Sequence, residues 1–493
     1  MDAIVVGSGP NGLAAAVTLA RAGLRVLVLE SQVAPGGGAR TLDLGLAPQI
    51  DHDICSAVHP LALVSPFLRA MRLAERGVDL IVPEASYAQP LDREPAAIAW
   101  HDLDRTVDGL GTDGLAWKRL FEPLVENSAP LVDLSLGDKR SAPPSMLDPT
   151  TLITAARFGK ALVQLGSETW DSPLHTERGR ALLTGVAAHA SGRLPSFGAA
   201  GTALLLATLG HVGGWPIPRG GSGAITAALI EDLIEHGGRI ETGTPVASAG
   251  DIPPTRVLLL DTSANTAAAI LGDHLPPRVS RALKHFPHGG GAAKVDLVLS
   301  DAIPWRDAEV GLAGTQHLGG TRRQMALAEA DVMKGHTPDR PVVLVSDPTI
   351  ADPTRARHGL RPIWAYAHVA FDDPRDPTEL VLSQIERFAP GFRDLVVDCR
   401  GVSAHDMVHH NPALVGGDIG LGRLSMWNLV ARPTPAFNPY HLAGGTYLCS
   451  SATPPGPGVH GMSGWHAARR VLHREFGLTA TLDLSPQPHM QIV

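Results

Sequence analysis

The six residues Gly7-Ser8-Gly9-Pro10-Asn11-Gly12 constrain this chain more than any other stretch. They follow an apolar run over residues 3–6 and open a helix-like stretch over 13–22. A second apolar run, residues 25–29, then ends in Glu30. Strand, glycine turn, helix, strand and acid in one compact unit, with the acid about 20 residues past the glycines, is the pattern of a dinucleotide site. Gly7 permits the tight turn, Gly9 lets backbone approach a pyrophosphate, and Gly12 lets the helix pack close to the strand. The helix N-terminus supplies free N–H groups and a positive dipole end to the phosphates. Glu30 can accept hydrogen bonds from ribose hydroxyls, and its charge would repel the extra phosphate of NADP. The spacing leaves FAD and NAD both open, and a purely structural glycine turn is the bland alternative.

At 493 residues the chain is too long for one simple core, so two intertwined domains are expected. The net charge of −8, with no basic cluster, argues against a nucleic-acid partner. Cys55, Cys399 and Cys449 stand far apart with no CxxC pair. That argues against a disulfide-exchanging flavoenzyme and fits a reducing, cytoplasmic compartment. The apolar start reads as the first strand and helix of the nucleotide unit rather than a signal peptide. Residues 197–218 are apolar but interrupted by five glycines and His211. Their core, 202–209, is too short to span a bilayer, so a buried helix or pocket wall is expected, with no transmembrane segment. Peripheral membrane contact stays open, as does the oligomeric state.

The loop 35–41 follows the second strand. Its Gly37, Gly38, Arg40 and Thr41 would add donors on the other side of a pyrophosphate; a solvent-exposed turn is the alternative. Residues 76–214 read as a largely helical insertion, with helices over 152–165 and 179–189, a loop over 141–149 and no dinucleotide-type strand. A glycine turn at 215–223 and a helix over 224–236 mark a return to the nucleotide unit. Short strands over 239–241 and 246–248 and a longer one over 256–260 continue it. A second excursion carries strands over 294–299, 341–345 and 363–369 and a helix over 380–388. The chain closes with a strand over 445–450, a loop over 452–463, a helix over 464–476 and a mobile tail over 485–493. The expected fold is α/β: a discontinuous Rossmann-like nucleotide domain (1–75, 215–290 and 431–493) with an inserted α+β substrate domain (76–214 and 291–430) of mixed sheet plus helices.

With these segments in order, the chain resembles the phytoene-desaturase-like FAD-dependent oxidoreductases. More narrowly, it resembles the branch of pyridine nucleotide-disulphide oxidoreductase domain-containing protein 2. The resemblance rests on Gly7 to Gly12 with Glu30, the loop Gly36-Gly37-Gly38-Ala39-Arg40-Thr41, and Asp53-Ile54-Cys55-Ser56-Ala57-Val58-His59-Pro60. It continues through Pro218-Arg219-Gly220-Gly221, Asn411-Pro412 with Gly416-Gly417-Asp418-Ile419, and Pro455-Gly456-Pro457-Gly458-Val459-His460-Gly461-Met462. It implies non-covalently bound FAD, held by the N-terminal glycines, Pro10, Asn11, Glu30, Gly37, Gly38, Arg40, Thr41 and Val246. The ring end would lie against Gly456, Gly458, Val459, His460, Gly461 and Met462. It also implies hydride removal from a carbon of a hydrophobic substrate, polyene or isoprenoid-like, with electrons passing to an acceptor such as oxygen or quinone. Two departures weaken a carotene substrate. The C-terminal loop has Thr453-Pro454-Pro455-Gly456 where carotene desaturases usually carry Thr-His-Pro-Gly, and only ten residues separate Val246 from Val257, so the usual β-meander looks abbreviated.

Dehydrogenation needs a proton sink or a cation-stabilising wall, and the candidates are His59, His409, His410, Asp418 and Trp427. With 22 histidines in the chain, most must be structural. No metal is expected: His405 and His409 stand four apart, without a neighbouring Glu or a clear third ligand. Cys55 and Cys449 read as packed thiols rather than flavin attachment points. Two rivals remain. A flavin amine oxidase would need an aromatic cage built on residues such as Trp427 and Trp465. A non-catalytic binding or escort protein on the same fold would have no need of the glycine loops.

Overall fold

The computed structural model describes residues 1–138, 148–425, 427–428 and 431–486. The apolar runs around the first glycine turn become the strands Ala3–Val6 and Val26–Leu29, every residue of which is buried. Continuous rather than alternating apolarity suits strands covered on both faces. They sit centrally in a six-stranded sheet. Its order is His441–Ala443, Thr446–Leu448, Val257–Leu260, Ala3–Val6, Val26–Leu29 and Arg239–Glu241. All neighbours are parallel except the first pair. Helix Pro10–Arg21 packs on one face with helices Gly223–Glu235 and Met462–Phe476, and helix Ala264–Leu271 covers the other. A Cβ on Gly464 would lie 1.7 Å from the Asn11 carbonyl, so only glycine lets the last helix cross the first at this distance.

The second sheet has seven strands in the order Val396–Val402, Gly291–Leu299, Arg361–Val369, Val343–Ser346, Ala313–Leu318, Ala85–Gln89 and Ala97–Trp100. Its pairs are antiparallel apart from Ala313–Leu318 with Ala85–Gln89. Helices Glu177–Ala188 and Phe197–Val212 cover one face and Thr378–Phe388 the other. The architecture is the expected one: a doubly wound Rossmann-like sheet with an inserted mixed sheet and helices.

Two local expectations fail. Strands Ala85–Gln89 and Ala97–Trp100 lie inside the segment read as helical. Residues 246–248 form no strand: only the turn Ala249–Asp251 stands between Arg239–Glu241 and Val257–Leu260, so the meander is absent rather than short. Most of the loop over 141–149 and of the tail over 485–493 lies outside the described residues. Helix Phe197–Val212 is a buried wall, with Ala199, Ala200, Ala203, Leu204 and Ala207 turned inward. Among the described residues no helix is long and apolar enough to cross a membrane.

Candidate functional site

Between the sheets lies a cavity of about 790 Å³, lined from the C-terminal edge of the first sheet and from one face of the second. Its narrow end is made of backbone. A Cβ on Gly12 would lie 2.2 Å from the Gly7 carbonyl, and one on Gly37 would lie 2.6 Å from the Gly9 Cα. The two glycine loops therefore touch. Ser8 ties them together, its Oγ accepting from the Gly36 amide at 3.0 Å while donating to Glu30 Oε2 at 2.5 Å. Glu30 is buried at the end of the second strand, and its other oxygen accepts from the Gln32 amide at 2.8 Å. Gly7, Gly9, Pro10, Asn11, Glu30, Gly37, Gly38, Arg40 and Val246 all line this end.

One residue there escapes sequence reasoning. Asp261 follows strand Val257–Leu260, and its Oδ2 accepts from the Gly12 amide at 2.8 Å. A Cβ on Gly9 would sit 2.6 Å from that same oxygen. Burial, reinforced by the charge of Glu30, pushes the Asp261 carboxyl up to about 7. Its position at the C-terminal edge of a parallel strand, beside the motif strand, is the signal that could have found it.

Arg40 bridges rather than points freely. Its Nε donates to the Gly37 carbonyl at 2.8 Å and its Nη2 to the His410 carbonyl, and burial lowers its pKa. Thr41 lies off the cavity, donating to Asp53 at 2.7 Å and accepting from the Gly223 amide at 2.9 Å. In the C-terminal loop Gly458, Val459 and His460 line the cavity, whereas Gly456, Gly461 and Met462 do not. Gly461 is required by packing, since its φ is +69° and a Cβ would lie 2.5 Å from Phe67. His460 clamps this loop. Its Nδ1 accepts from the Met462 amide at 3.0 Å, so the proton sits on Nε2, 3.2 Å from the Gly456 carbonyl. Burial lowers its pKa to about 4, keeping it neutral.

The five proton-transfer candidates divide. His59, His410 and Asp418 line the cavity, and His409 and Trp427 do not. His59 meets Ser222 Oγ through Nε2 at 2.8 Å, and burial lowers its pKa to about 4. His410 is likewise lowered, chiefly by burial. Asp418 organises its loop: Oδ2 accepts from His288 and from the Gly289 amide, and Oδ1 from the Gly420 amide. The His409 side chain is 76% exposed beside Asp406, and Trp427 is 68% exposed. Trp465 packs against Phe67 and His466 away from the cavity. No cage of Trp427 and Trp465 forms; the aromatic lining comes instead from Phe158, Trp215, Trp364 and Tyr366.

Of the thiols, Cys55 lines the cavity and burial pushes it up to about 11, while Cys449 is fully buried. Asp232, Glu235 and His236 are grouped closely enough for a metal, but Asp232 already pairs with Arg21 at 2.5 Å and Arg76 at 2.8 Å.

Comparison with known proteins agrees with this geometry. Residues 5–76 match the NAD(P)-binding Rossmann-like domain family. The chain is 25% identical to pyridine nucleotide-disulfide oxidoreductase domain-containing protein 2 of Rattus norvegicus, covering 95% of this chain and 93% of that one. It is 30% identical to hydroxyneurosporene desaturase of Cereibacter sphaeroides across 50% of each chain. Among solved structures it is similar in fold to cyclohexylamine oxidase from Brevibacterium oxydans. That match has a TM-score of 0.54 at 16% identity and covers 95% of this chain and 98% of that one. End to end the chain is thus similar to pyridine nucleotide-disulfide oxidoreductase domain-containing protein 2, and over half its length to hydroxyneurosporene desaturase.

Proposed function

We propose that the protein is an FAD-dependent oxidoreductase that removes hydride from a carbon of a hydrophobic small molecule. One observation carries this reading: a single cavity joins a glycine cradle carrying Glu30 to an apolar chamber lined by Phe158, Leu162, Leu205, Trp364 and Tyr366. The residues present fit the cofactor. Gly9 and Gly37 leave bare backbone where phosphates would lie, Glu30 would meet a ribose, and Val246 would offer an apolar contact. Val459 and His460, at the start of helix Met462–Phe476, would face the ring, where the helix dipole favours negative charge. When bound, FAD supplies the two-electron acceptor.

The chain's own residues do the rest. The chamber walls exclude water and hold a substrate carbon in place. His410 and His59, both neutral and both on the lining, are the groups available to take the proton that accompanies hydride loss. An isoprenoid or polyene fits the apolar chamber, and oxygen or a quinone would re-oxidise the flavin. A second reading, a flavin amine oxidase, draws on Trp364 and Tyr366, whose rings meet edge-on at 5.1 Å in the lining. Anaerobic bleaching of the bound flavin by a panel of polyenes, amines and hydroxy compounds tests the assignment. Bleaching by a polyene supports the first reading and bleaching by an amine the second; no bleaching at all favours a binding or escort protein.

A further inference from the structure

The substrate chamber is largely apolar, and one of its polar places is built from a pair of histidines. His189, in the loop after helix Glu177–Ala188, lines it, as does Thr315 on strand Ala313–Leu318. Behind His189 lies His317, two residues beyond Thr315 on the same face of that strand and fully buried. The two imidazoles meet through their Nε2 atoms at 2.8 Å. Such a contact needs one ring to donate and the other to accept, so at most one ring can carry a second proton. Burial holds His189 down to about 3 and His317 well below the ordinary range, reinforced by His368 for both rings and by His189 for His317. The pair is thus neutral, and Nδ1 is the ring nitrogen that His189 leaves unbonded among the described residues.

Polar atoms without partners gather around this pair. His317 Nδ1, Tyr87 Oη and Gln89 Oε1 are buried and unbonded. The Tyr87 ring lies 5.3 Å from that of His317. Gln89 Oε1 and His317 Nδ1 both crowd the space beside Gly185, within 2.2 and 2.8 Å of where a Cβ would stand. Trp364, which also lines the chamber, has a buried indole N–H with no partner. None of these four atoms opens on the cavity, so they frame the pair rather than meet a guest; the polar atoms that the lining itself offers here are His189 Nδ1 and the Thr315 hydroxyl, which suit a polar guest.

The charge of that guest is constrained as well. The acidic lining residues are Glu30, Asp261 and Asp418. Glu30 and Asp261 belong to the glycine cradle, and Asp418 is engaged by His288 and two backbone amides. Among the described residues no carboxylate is left to pair with an ammonium group in the chamber.

We propose that His189, oriented by His317 and assisted by Thr315, forms a subsite for one uncharged oxygen function on an otherwise apolar substrate. The pair suits both oxidation levels of such a group. When His189 Nε2–H donates to His317, His189 Nδ1 accepts from a hydroxyl. When His317 donates instead, His189 Nδ1–H donates to a carbonyl. In the first state His317 Nδ1–H faces Gln89 Oε1, its neighbour beside Gly185. The subsite rests on the proposed function, because it takes the chamber to be the substrate's.

The test uses the full-length protein and four probes of one skeleton: farnesol, farnesal, farnesylamine and farnesene, with binding read by tryptophan fluorescence. The alcohol and the aldehyde bind about tenfold more tightly than the hydrocarbon and the amine, the size of one net hydrogen bond. In His189→Phe that preference disappears, read as the ratio of alcohol or aldehyde affinity to farnesene affinity. His189→Asn, which restores a hydrogen-bonding side chain, recovers part of it. Equal affinity for all four in the wild type, a preference that survives His189→Phe, or no binding of any probe overturns the proposal. Flavin absorbance on the same samples separates this test from the parent reading. A colourless protein that keeps the preference contradicts the flavoenzyme and leaves the subsite standing; a yellow protein without it does the reverse.

Discussion

The two ends of the cavity are built by opposite means. The cradle is backbone: Gly9 and Gly37 stand in contact, and the residues that form it fall mostly within the first forty positions. The chamber is side chains, gathered from Phe158 on one helix, Trp215 beyond another and Tyr366 on a distant strand. A wall of backbone has no room to relax, because the nearest atoms are themselves main chain or a fixed carboxyl. A wall of side chains can repack. The cradle should therefore fail outright when altered, and the chamber should change its preferences by degrees.

Gly9→Val is the harshest trial of that contrast. Its Cβ would sit 2.6 Å from Asp261 Oδ2, with Gly37 packed alongside. Flavin retention is expected to fall by about a hundredfold or more, read from the ratio of flavin to protein absorbance, since overpacking of this kind costs about 1–3 kcal/mol and cradle contacts are lost besides. Unchanged helical circular dichroism would show that the second sheet and its helices still fold. Retained flavin in this variant would break the comparison.

Asp261 comes next. Its pKa is raised on folding from 3.8 to about 7, so the folded chain binds the extra proton between those values. The stability it confers is complete below about pH 4 and is lost as pH rises through about 7, on the order of 4 kcal/mol in all. Denaturant unfolding of the ligand-free protein near pH 5 and near pH 8 checks this; Asp261→Asn should flatten the difference. Since a diphosphate adds negative charge beside Gly9, FAD should also bind the wild type more weakly at the higher pH and the variant equally at both. A wild type indifferent to pH would show that the carboxyl does not sense the cradle.

His460→Ala removes both the acceptor for the Met462 amide and the donor to the Gly456 carbonyl. A loss of about 1–3 kcal/mol is expected from thermal or denaturant melts, together with faster flavin release. In the chamber, Trp364→Leu should raise KM for an apolar substrate severalfold and leave flavin content untouched. The smallest effect belongs to Trp427→Ala. Exposed as it is, Trp427 should shift stability by no more than about 0.5 kcal/mol and leave the bleaching rate unchanged. A large loss of turnover there would restore it as a site residue.

The same contrast explains what the sequence made legible. The cradle's strand, turn and helix are consecutive, so spacing alone locates Gly9, Glu30 and Arg40 on the cavity. Asp261 is 249 residues from the amide it contacts, and no local pattern links the two. His409 and His410 are neighbours in the short helix Met407–His410, yet one faces solvent and the other the cavity. A turn of about 100° per residue separates them, and sequence does not say which face is inward. Strands Ala85–Gln89 and Ala97–Trp100 were hidden because alanine fills them where β-branched residues would mark a strand. Trp427 and Trp465 look as suitable for an aromatic wall as Trp364 does; only tertiary packing separates them.

The most direct test of the account is the absorbance spectrum of the purified full-length protein, before and after incubation with FAD. The account predicts flavin bands at about one FAD per chain, as one cradle requires, present in the wild type and absent from Gly9→Val. A folded wild-type protein that is colourless and takes up no FAD would contradict it.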